Sequence, residues 1–176
     1  MPAVSGECGT LNHLWGAPMR NIYFLLLFSL CACSASGPRF QDTPLAKQQV
    51  PEDKARIVLY RTFDANFRSV TLGIDDSMIG ALAHRGFIVA DTAPGAHKIS
   101  AWMRYTPLGK YVIGVNLKAG ETYYIRASHR SQRMLYPLLG PAGTAFFFVD
   151  PEGEFRLEQL TATEALQELE NLKLSD

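Results

Sequence analysis

Two histidines and a pair of neighbouring aspartates are the residues of this chain whose types suit acid–base chemistry. His97 follows a Pro-Gly-Ala turn, His129 begins a basic stretch, and Asp75 and Asp76 sit between two apolar segments. A histidine oriented by a carboxylate is a common general base in hydrolases. The residues therefore leave open a hydrolase in which His97 or His129 works with Asp75 or Asp76. The alternative is that His97 only stabilises its turn.

The motifs of the common enzyme classes are missing from this chain. It has no Gly-x-Ser-x-Gly elbow, no phosphate-binding glycine loop and no zinc-binding helix motif. The aspartate pair also lacks the alternating acidic spacing of a calcium loop, and a turn built on aspartate side chains explains it more simply. We therefore expect a protein that is not an enzyme and that uses no cofactor and no metal.

The cysteines indicate a different chemistry. Cys8, Cys31 and Cys33 all lie in the first fifth of the chain, so the remainder contains neither a disulfide nor a thiolate metal site. Eleven largely apolar residues, 22–32, follow Arg20. A helix needs about 20 apolar residues to span a bilayer, so this run fits the hydrophobic region of a signal peptide.

The residues around Cys33 resemble the bacterial lipobox. Leu30, Cys31 and Ala32 match its three positions before the modified cysteine, and Cys31 is excluded because Leu30 before it is too large for the peptidase pocket. Cys33 is thus the predicted lipidation site, and two acyl chains suffice for stable anchoring. In this resemblance Ser34, rather than Asp, implies sorting to the outer membrane. A buried helix, an ordinary cleavable signal and a cytosolic protein with a chance apolar N-terminus remain alternatives.

Composition divides the chain into four parts. Residues 1–18 are interpreted as a non-native extension ahead of a start at Met19, residues 19–32 as the signal peptide, and residues 33–54 as a flexible tether rich in polar residues and proline. Residues 55–176 form the predicted domain. Seventeen basic residues balance seventeen acidic ones, so the chain has no basic surface for nucleic acid, and we expect none as a partner.

The domain shows the period of two that is typical of β-strands. Apolar residues alternate in short segments separated by turn residues, which predicts a mainly β, antiparallel β-sandwich of immunoglobulin or transthyretin type. Residues 111–117 and 122–128 are predicted to form a hairpin, as are residues 146–149 and 155–160. The predicted strands lie at residues 56–61, 70–74, 78–80, 86–90, 96–104, 111–117, 122–128, 146–149 and 155–160.

One helix is predicted at the end of the domain, over residues 161–173. Thr161 and Glu164 have the spacing of a capping box, and Ala165, Leu166, Leu169 and Leu172 form an apolar stripe. We expect this stripe to pack on an edge or a face of a sheet. A helix that binds a partner is the alternative.

Several short motifs resemble those of the DUF2846 family of bacterial lipoproteins. They are the strand that ends in Tyr60-Arg61, residues 73–80, residues 94–97 and residues 119–124, and PEGA-type surface-layer modules share the same turns. Asp76 stands where these families usually have glycine. The resemblance implies a small β-sandwich on a lipid anchor, and it implies no activity. The residues that it marks as structural turn residues are Asp75, Asp76, Gly80, Pro94, Gly95 and His97.

A basic segment that runs into an apolar one is the predicted partner surface. Its residues are Arg130, Arg133, Met134, Leu135 and Tyr136. The alternative, which the apolar residues favour, is an irregular strand of the sandwich that buries Met134, Leu135, Leu138 and Leu139. Together these observations predict a lipid-anchored, non-catalytic binding or structural module of the bacterial cell envelope. We expect it at the outer membrane, facing the periplasm, with an envelope protein or a glycan as its partner.

Overall fold

The alternating segments of the domain form β-strands. A computed structural model describes residues 34–64, 67–106, 108–130, 138, 140–142 and 152–175. Within these residues there are nine strands: β1 (Ala55–Tyr60), β2 (Val70–Ile74), β3 (Ser77–Leu82), β4 (Gly86–Thr92), β5 (Gly95–Trp102), β6 (Tyr111–Leu117), β7 (Thr122–His129), β8 (Phe155–Leu160) and β9 (Lys173–Leu174). The helical elements are a 3₁₀ turn (Phe40–Asp42), α1 (Pro44–Lys47) and α2 (Ala162–Leu169).

The strands form two sheets packed as a sandwich. The first sheet has the order β8-β7-β1-β4-β9 and the second has the order β3-β2-β5-β6. Their facing sides share one core, in which Ile57, Leu59, Leu72 and Ile125 are fully buried. The predicted mainly β sandwich is confirmed. It is not purely antiparallel, because β1 pairs with β7 and β4 pairs with β9 in parallel.

The predicted hairpin between residues 111–117 and 122–128 is wrong. Strand β6 pairs with β5 in the second sheet, whereas β7 pairs with β1 and β8 in the first. The turn between β6 and β7 therefore crosses from one sheet to the other. The alternating pattern shows that each strand has one buried face, but it does not show to which sheet the strand belongs. Val115 of β6 and Ile125 of β7 lie in the same core, on strands of opposite sheets. Residues 146–149, the predicted partner of β8, lie outside the described residues.

Helix α2 covers the outer face of the first sheet. Ala165 and Leu169 pack on Val58, Tyr60 and Phe87, which explains why every residue of β1 is buried. The predicted capping box is present: Thr161 accepts a hydrogen bond from the Glu164 N–H, and the Glu164 carboxylate accepts one from the Thr161 N–H. The helix stops at Leu169 rather than residue 173, because the chain turns there and Lys173–Leu174 pairs with β4. Leu172 is buried as predicted, whereas Leu166, which was predicted in the same apolar stripe, is 46% exposed.

The segment predicted to be a flexible tether lies against the domain over much of its length. Phe40 is buried and packs edge-on against Phe87, with ring centroids 5.2 Å apart. The backbone N–H of Gly37 donates to Leu174, and the carbonyl of Pro38 accepts from Leu174 in return. The buried Arg56 donates to the carbonyls of Leu45 and Gln48. The polar composition of this segment concealed the few apolar and backbone contacts that hold it.

Candidate functional site

The connections between strands separate into two ends of the sandwich. At one end, which we name the loop end, lie the connections at residues 61–69, 83–85 and 103–110, and the connection that leaves β7 at residue 130 and returns to β8. At the other, which we name the turn end, β2 and β3 are joined by the two-residue turn Asp75–Asp76. Loops on a rigid sandwich are the usual place for binding residues.

A buried ion pair organises the first connection of the loop end. Arg61 is fully buried, and its Nε donates to Asp64 Oδ2 at 2.7 Å while Nη2 donates to the other carboxylate oxygen. Its Nη1 donates to the Arg68 carbonyl, and its guanidinium lies 5.0 Å from the centroid of the Phe155 ring. A charge removed from water in this way requires such partners. The pair therefore fixes the path of the chain between β1 and β2.

His84 is held between two aromatic side chains of that connection. Its ring centroid lies 5.2 Å from that of Phe63 and 4.9 Å from that of Phe67. Its Nε2 lies 3.1 Å from the backbone oxygen of Asp64, and the residue is buried. The buried His84 ring thus packs against both phenylalanine rings on their protein side. The phenylalanines themselves face solvent, with 71% of Phe63 and 56% of Phe67 exposed.

The described chain begins at this same place. Ser34 forms a parallel bridge with His84, and the N–H of Ala35 donates to the His84 carbonyl at 3.2 Å. The Ser34 hydroxyl donates to the same oxygen at 3.3 Å. Residue 34 is therefore attached at the loop end, to the backbone of the histidine whose ring contacts Phe63 and Phe67. Cys33, the predicted lipidation site, lies outside the described residues and is covalently linked to Ser34.

The predicted acid–base pair is found at the turn end. His97 Nδ1 is hydrogen bonded to the Asp75 carboxylate, and Nε2 lies 2.8 Å from the Ala93 carbonyl oxygen. The N–H of Lys98 donates to the same carboxylate at 2.9 Å. This bond, and second the hydrogen bond with His97, lower the pKa of Asp75. Both ring nitrogens of His97 are occupied by oxygens of its own turn. The arrangement joins the ends of β2 and β5 and leaves no ring nitrogen directed at a substrate.

The other predicted turn residues surround this pair. Asp75 and Asp76 have φ angles of 47° and 65°, the left-handed backbone conformation that glycine adopts most easily and that aspartate tolerates in tight turns. Pro94 precedes β5, and Gly95 has a φ angle of 131°. Gly80 is not a turn residue, because it lies within β3, where a Cβ would come within 3.0 Å of Ile88. A shallow depression of about 410 Å³ beside His97 crosses β5 and β6.

Two predicted candidates lie at the loop end. His129 ends β7, at the opposite end of the sandwich from Asp75 and Asp76, so it is not their partner. Its ring contacts Phe155 edge-on, with centroids 5.9 Å apart. Arg130, the first residue of the predicted partner surface, forms an ion pair with Glu152 at 3.1 Å. The other residues of that surface, Arg133, Met134, Leu135 and Tyr136, lie outside the described residues.

Sequence reasoning missed the arrangement of Arg61, Asp64, His84, Phe63 and Phe67. An arginine in a loop is usually exposed, and nothing local signals that Arg61 is buried. The available signal was the pair of phenylalanines between polar residues in a segment without strand periodicity. Among the described residues, no cluster of three histidine, cysteine or acidic side chains suits a metal ion, and no helix has the length and apolarity to span a membrane.

Comparison with known proteins identifies one family. A family model described as a protein of unknown function, DUF2846, matches residues 51–138. The match begins just before β1 and ends in the connection that follows β7, and it therefore includes Arg61, Asp64, His84 and both phenylalanines. No curated protein matches the chain at a significant level.

Proposed function

This chain belongs to the DUF2846 family, and from that premise we propose that it is a lipid-anchored protein of the bacterial cell envelope, with a β-sandwich that acts as a non-catalytic binding or structural module. The anchor is Cys33, which carries the acyl chains after cleavage behind Ala32. The resemblance of residues 30–33 to a lipobox carries this proposal. Two or more acyl chains on one cysteine give stable membrane attachment.

The fold is compatible with an anchor at that position. The first described residues, Ser34 and Ala35, are bonded to His84 of the domain, so the residue after the proposed anchor is already part of the fold. We further propose that Ser34, in the position after the lipidated cysteine, directs the protein to the outer membrane. The domain then faces the periplasm, where an envelope protein or a glycan is the expected partner.

The polar clusters support a module rather than an enzyme. Arg126 bridges Glu158 and Glu168, and so ties β7 to β8 and to helix α2. Arg56 pairs with Asp91 and holds the N-terminal segment. His97 and Asp75, the one predicted catalytic combination that is in contact, are both engaged in their own turn. Each cluster thus has a structural role that explains its charges.

Membrane fractionation of the full chain, expressed in a bacterium that processes lipoproteins, tests the anchor. The wild-type protein is expected in the membrane, with an intact mass equal to residues 33–176 plus a lipid increment. Replacement of Cys33 by Ala is expected to move the domain to the soluble fraction, whereas Cys31→Ala serves as the matched control and remains anchored. A Cys33→Ala protein that stays in the membrane would contradict the proposal.

A hydrolase with His97 and Asp75 is the second candidate, since the structure brings these two residues together. The membrane-purified protein is to be assayed on model esters, glycosides and peptides, beside the His97→Gln variant. We expect no turnover above a buffer blank for either protein. Turnover that is lost in His97→Gln would overturn the non-catalytic proposal.

A further inference from the structure

Most of the large apolar side chains that are highly exposed in the described domain lie in the connections of the loop end. Four of the seven large apolar side chains with high exposure belong to its connections. Single exposed apolar residues are common on soluble domains, but a group at one end marks an interaction surface. Those four are Phe63, Phe67, Tyr105 and Leu138.

The position of the anchor determines what this surface faces. Consecutive Cα atoms are about 3.8 Å apart, so the Cα of Cys33 lies within that distance of the Cα of Ser34. Ser34 is bridged to His84, and the His84 ring contacts Phe63 and Phe67. Acyl chains on Cys33 therefore leave the protein at the loop end, one residue from the backbone partner of His84. No flexible segment separates the anchor from the domain.

Exposed basic residues surround the same attachment point. Arg39 forms a bridge with Lys173, and the N–H of Lys173 donates to the carbonyl of Arg85, the neighbour of His84. All three side chains are exposed, and none of them has an ion pair with a carboxylate in the described part of the chain. Anionic lipid headgroups attract basic residues held close to a bilayer. These charges thus complement a phospholipid surface.

We propose that the loop end rests directly on the membrane that receives the acyl chains of Cys33, with Phe63 and Phe67 in the interfacial region and Arg39, Arg85 and Lys173 against anionic headgroups. This inference rests on the proposed function, because Cys33 brings the bilayer to this end. Both phenylalanines contact the buried His84 ring, and the buried Arg61–Asp64 pair lies in the same connection. The sandwich then stands on its loop end, with the Asp75–Asp76 turn farthest from the lipid.

Single cysteines with nitroxide labels test this orientation. Lipidated protein that starts at Cys33 has no other thiol, because Cys8 and Cys31 precede it. A label at Phe67→Cys is compared with one at Met78→Cys, whose native side chains are matched at 56% and 58% exposure. Met78 lies near the turn end, because it pairs with Gly73, and most of strand β2 separates Gly73 from the loop end. A label at Tyr105→Cys reports on the loop end with both phenylalanines intact.

The labelled proteins are reconstituted in vesicles of phosphatidylethanolamine and phosphatidylglycerol. Collisions with oxygen, relative to a water-soluble nickel chelate, are expected to be several-fold higher for the labels at residues 67 and 105 than for the label at residue 78. Equal aqueous values at all three sites, with an intact mass that shows acyl chains, would overturn the inference and leave the anchor standing. Lipid exposure at residue 78 as well would overturn the end-on orientation. An unlipidated mass would overturn the proposed function and this inference with it.

Discussion

The hydroxyl of Tyr60, on the central strand of the first sheet, donates a hydrogen bond to Glu168 of helix α2 at 2.8 Å. The same carboxylate accepts a second bond from Arg126 at 2.6 Å. Burial and, second, the neighbouring Glu168 raise the pKa of Tyr60 far above its usual value. One helix carboxylate is thus shared by two strands, and it fixes where α2 lies on the sheet.

This contact predicts a specific loss of stability at alkaline pH. A tyrosine in the unfolded chain has a pKa near ~10, so the contribution of a raised folded pKa is complete below pH ~10 and is lost as the pH rises towards the folded value. Tyr60→Phe should lower the free energy of unfolding by about 1 kcal/mol at neutral pH, because one hydrogen bond is lost. Above pH ~10 it should lose stability less steeply than the wild type.

Urea unfolding followed by circular dichroism at several pH values measures both effects. Tyr105→Phe is the matched control, since Tyr105 is 92% exposed and its change should alter neither value. Parallel stability curves for wild type and Tyr60→Phe above pH ~10 would contradict the assignment.

The buried pair at the loop end should dominate the stability of the first connection. Arg61→Ala leaves the Asp64 carboxylate without its guanidinium, and loss of one partner of a buried pair costs about 3–5 kcal/mol. Arg61→Lys keeps the charge but not the bidentate hydrogen bonds to the Asp64 carboxylate, so it should recover only part of the lost stability. Arg104→Ala, at an exposed position of the same end, is the control. Thermal unfolding measures all three, and an Arg61→Ala protein as stable as the control would refute this role.

The bonds between Asp75 and its partners His97 and Lys98 should make the free energy of unfolding depend on pH in the acid range. The pKa of Asp75 is lowered by the Lys98 N–H and by His97, so its contribution is present above the unfolded value of ~3.9 and is lost as the pH falls through the folded pKa. Asp75→Asn should therefore be less stable than wild type at neutral pH and should lose less stability on acidification. Asp76→Asn, in the same turn, is the matched control because the bonds to His97 and Lys98 are made by Asp75. The measurement is urea unfolding between neutral and strongly acidic pH.

The N-terminal segment should resist proteolysis although it has the composition of a linker. The Arg39–Phe40 bond is protected because the Phe40 N–H donates to Leu172 at 3.1 Å and Phe40 is buried. In Gly37→Ala the new Cβ would lie 2.6 Å from the Leu174 carbonyl oxygen and should displace the segment. Trypsin should then cut after Arg39 many times faster than in the wild type. Gly114→Ala, where a Cβ meets no atom within 4 Å, is the control, and equal rates in both variants would contradict the docking.

These cases show what local sequence determines in this fold. The strands and the capping box were predictable, because alternation and the Thr161–Glu164 spacing act within a few residues. The parallel pairing of β1 with β7 was not, because each strand carries only its own burial pattern. The docking of residues 34–48 depends on Phe40, on Arg56 and on backbone bonds that composition does not reveal.

The candidate functional residues also differ in how far they could be predicted from local sequence. The neighbourhood of His97 and Asp75 was predicted, since both residues belong to tight turns at strand ends. The loop end was predicted only in part, through Arg130. The buried Arg61 and the two exposed phenylalanines belong to the connection at residues 61–69, and His84 belongs to the connection at residues 83–85. Only the assembled sandwich brings these two connections together.

Residues 37–40 are bonded to residues 172–174, and this contact constrains the order in which the fold forms. Gly37 and Phe40 bond to Leu174 and Leu172, which are synthesised long after them. Residues 37–40 therefore have no native docking site until residues 172–174 have been synthesised, whereas Ser34 and Ala35 bond to His84, far earlier in the chain. The contact between residues 37–40 and residues 172–174 thus cannot form before the chain has been synthesised as far as Leu174.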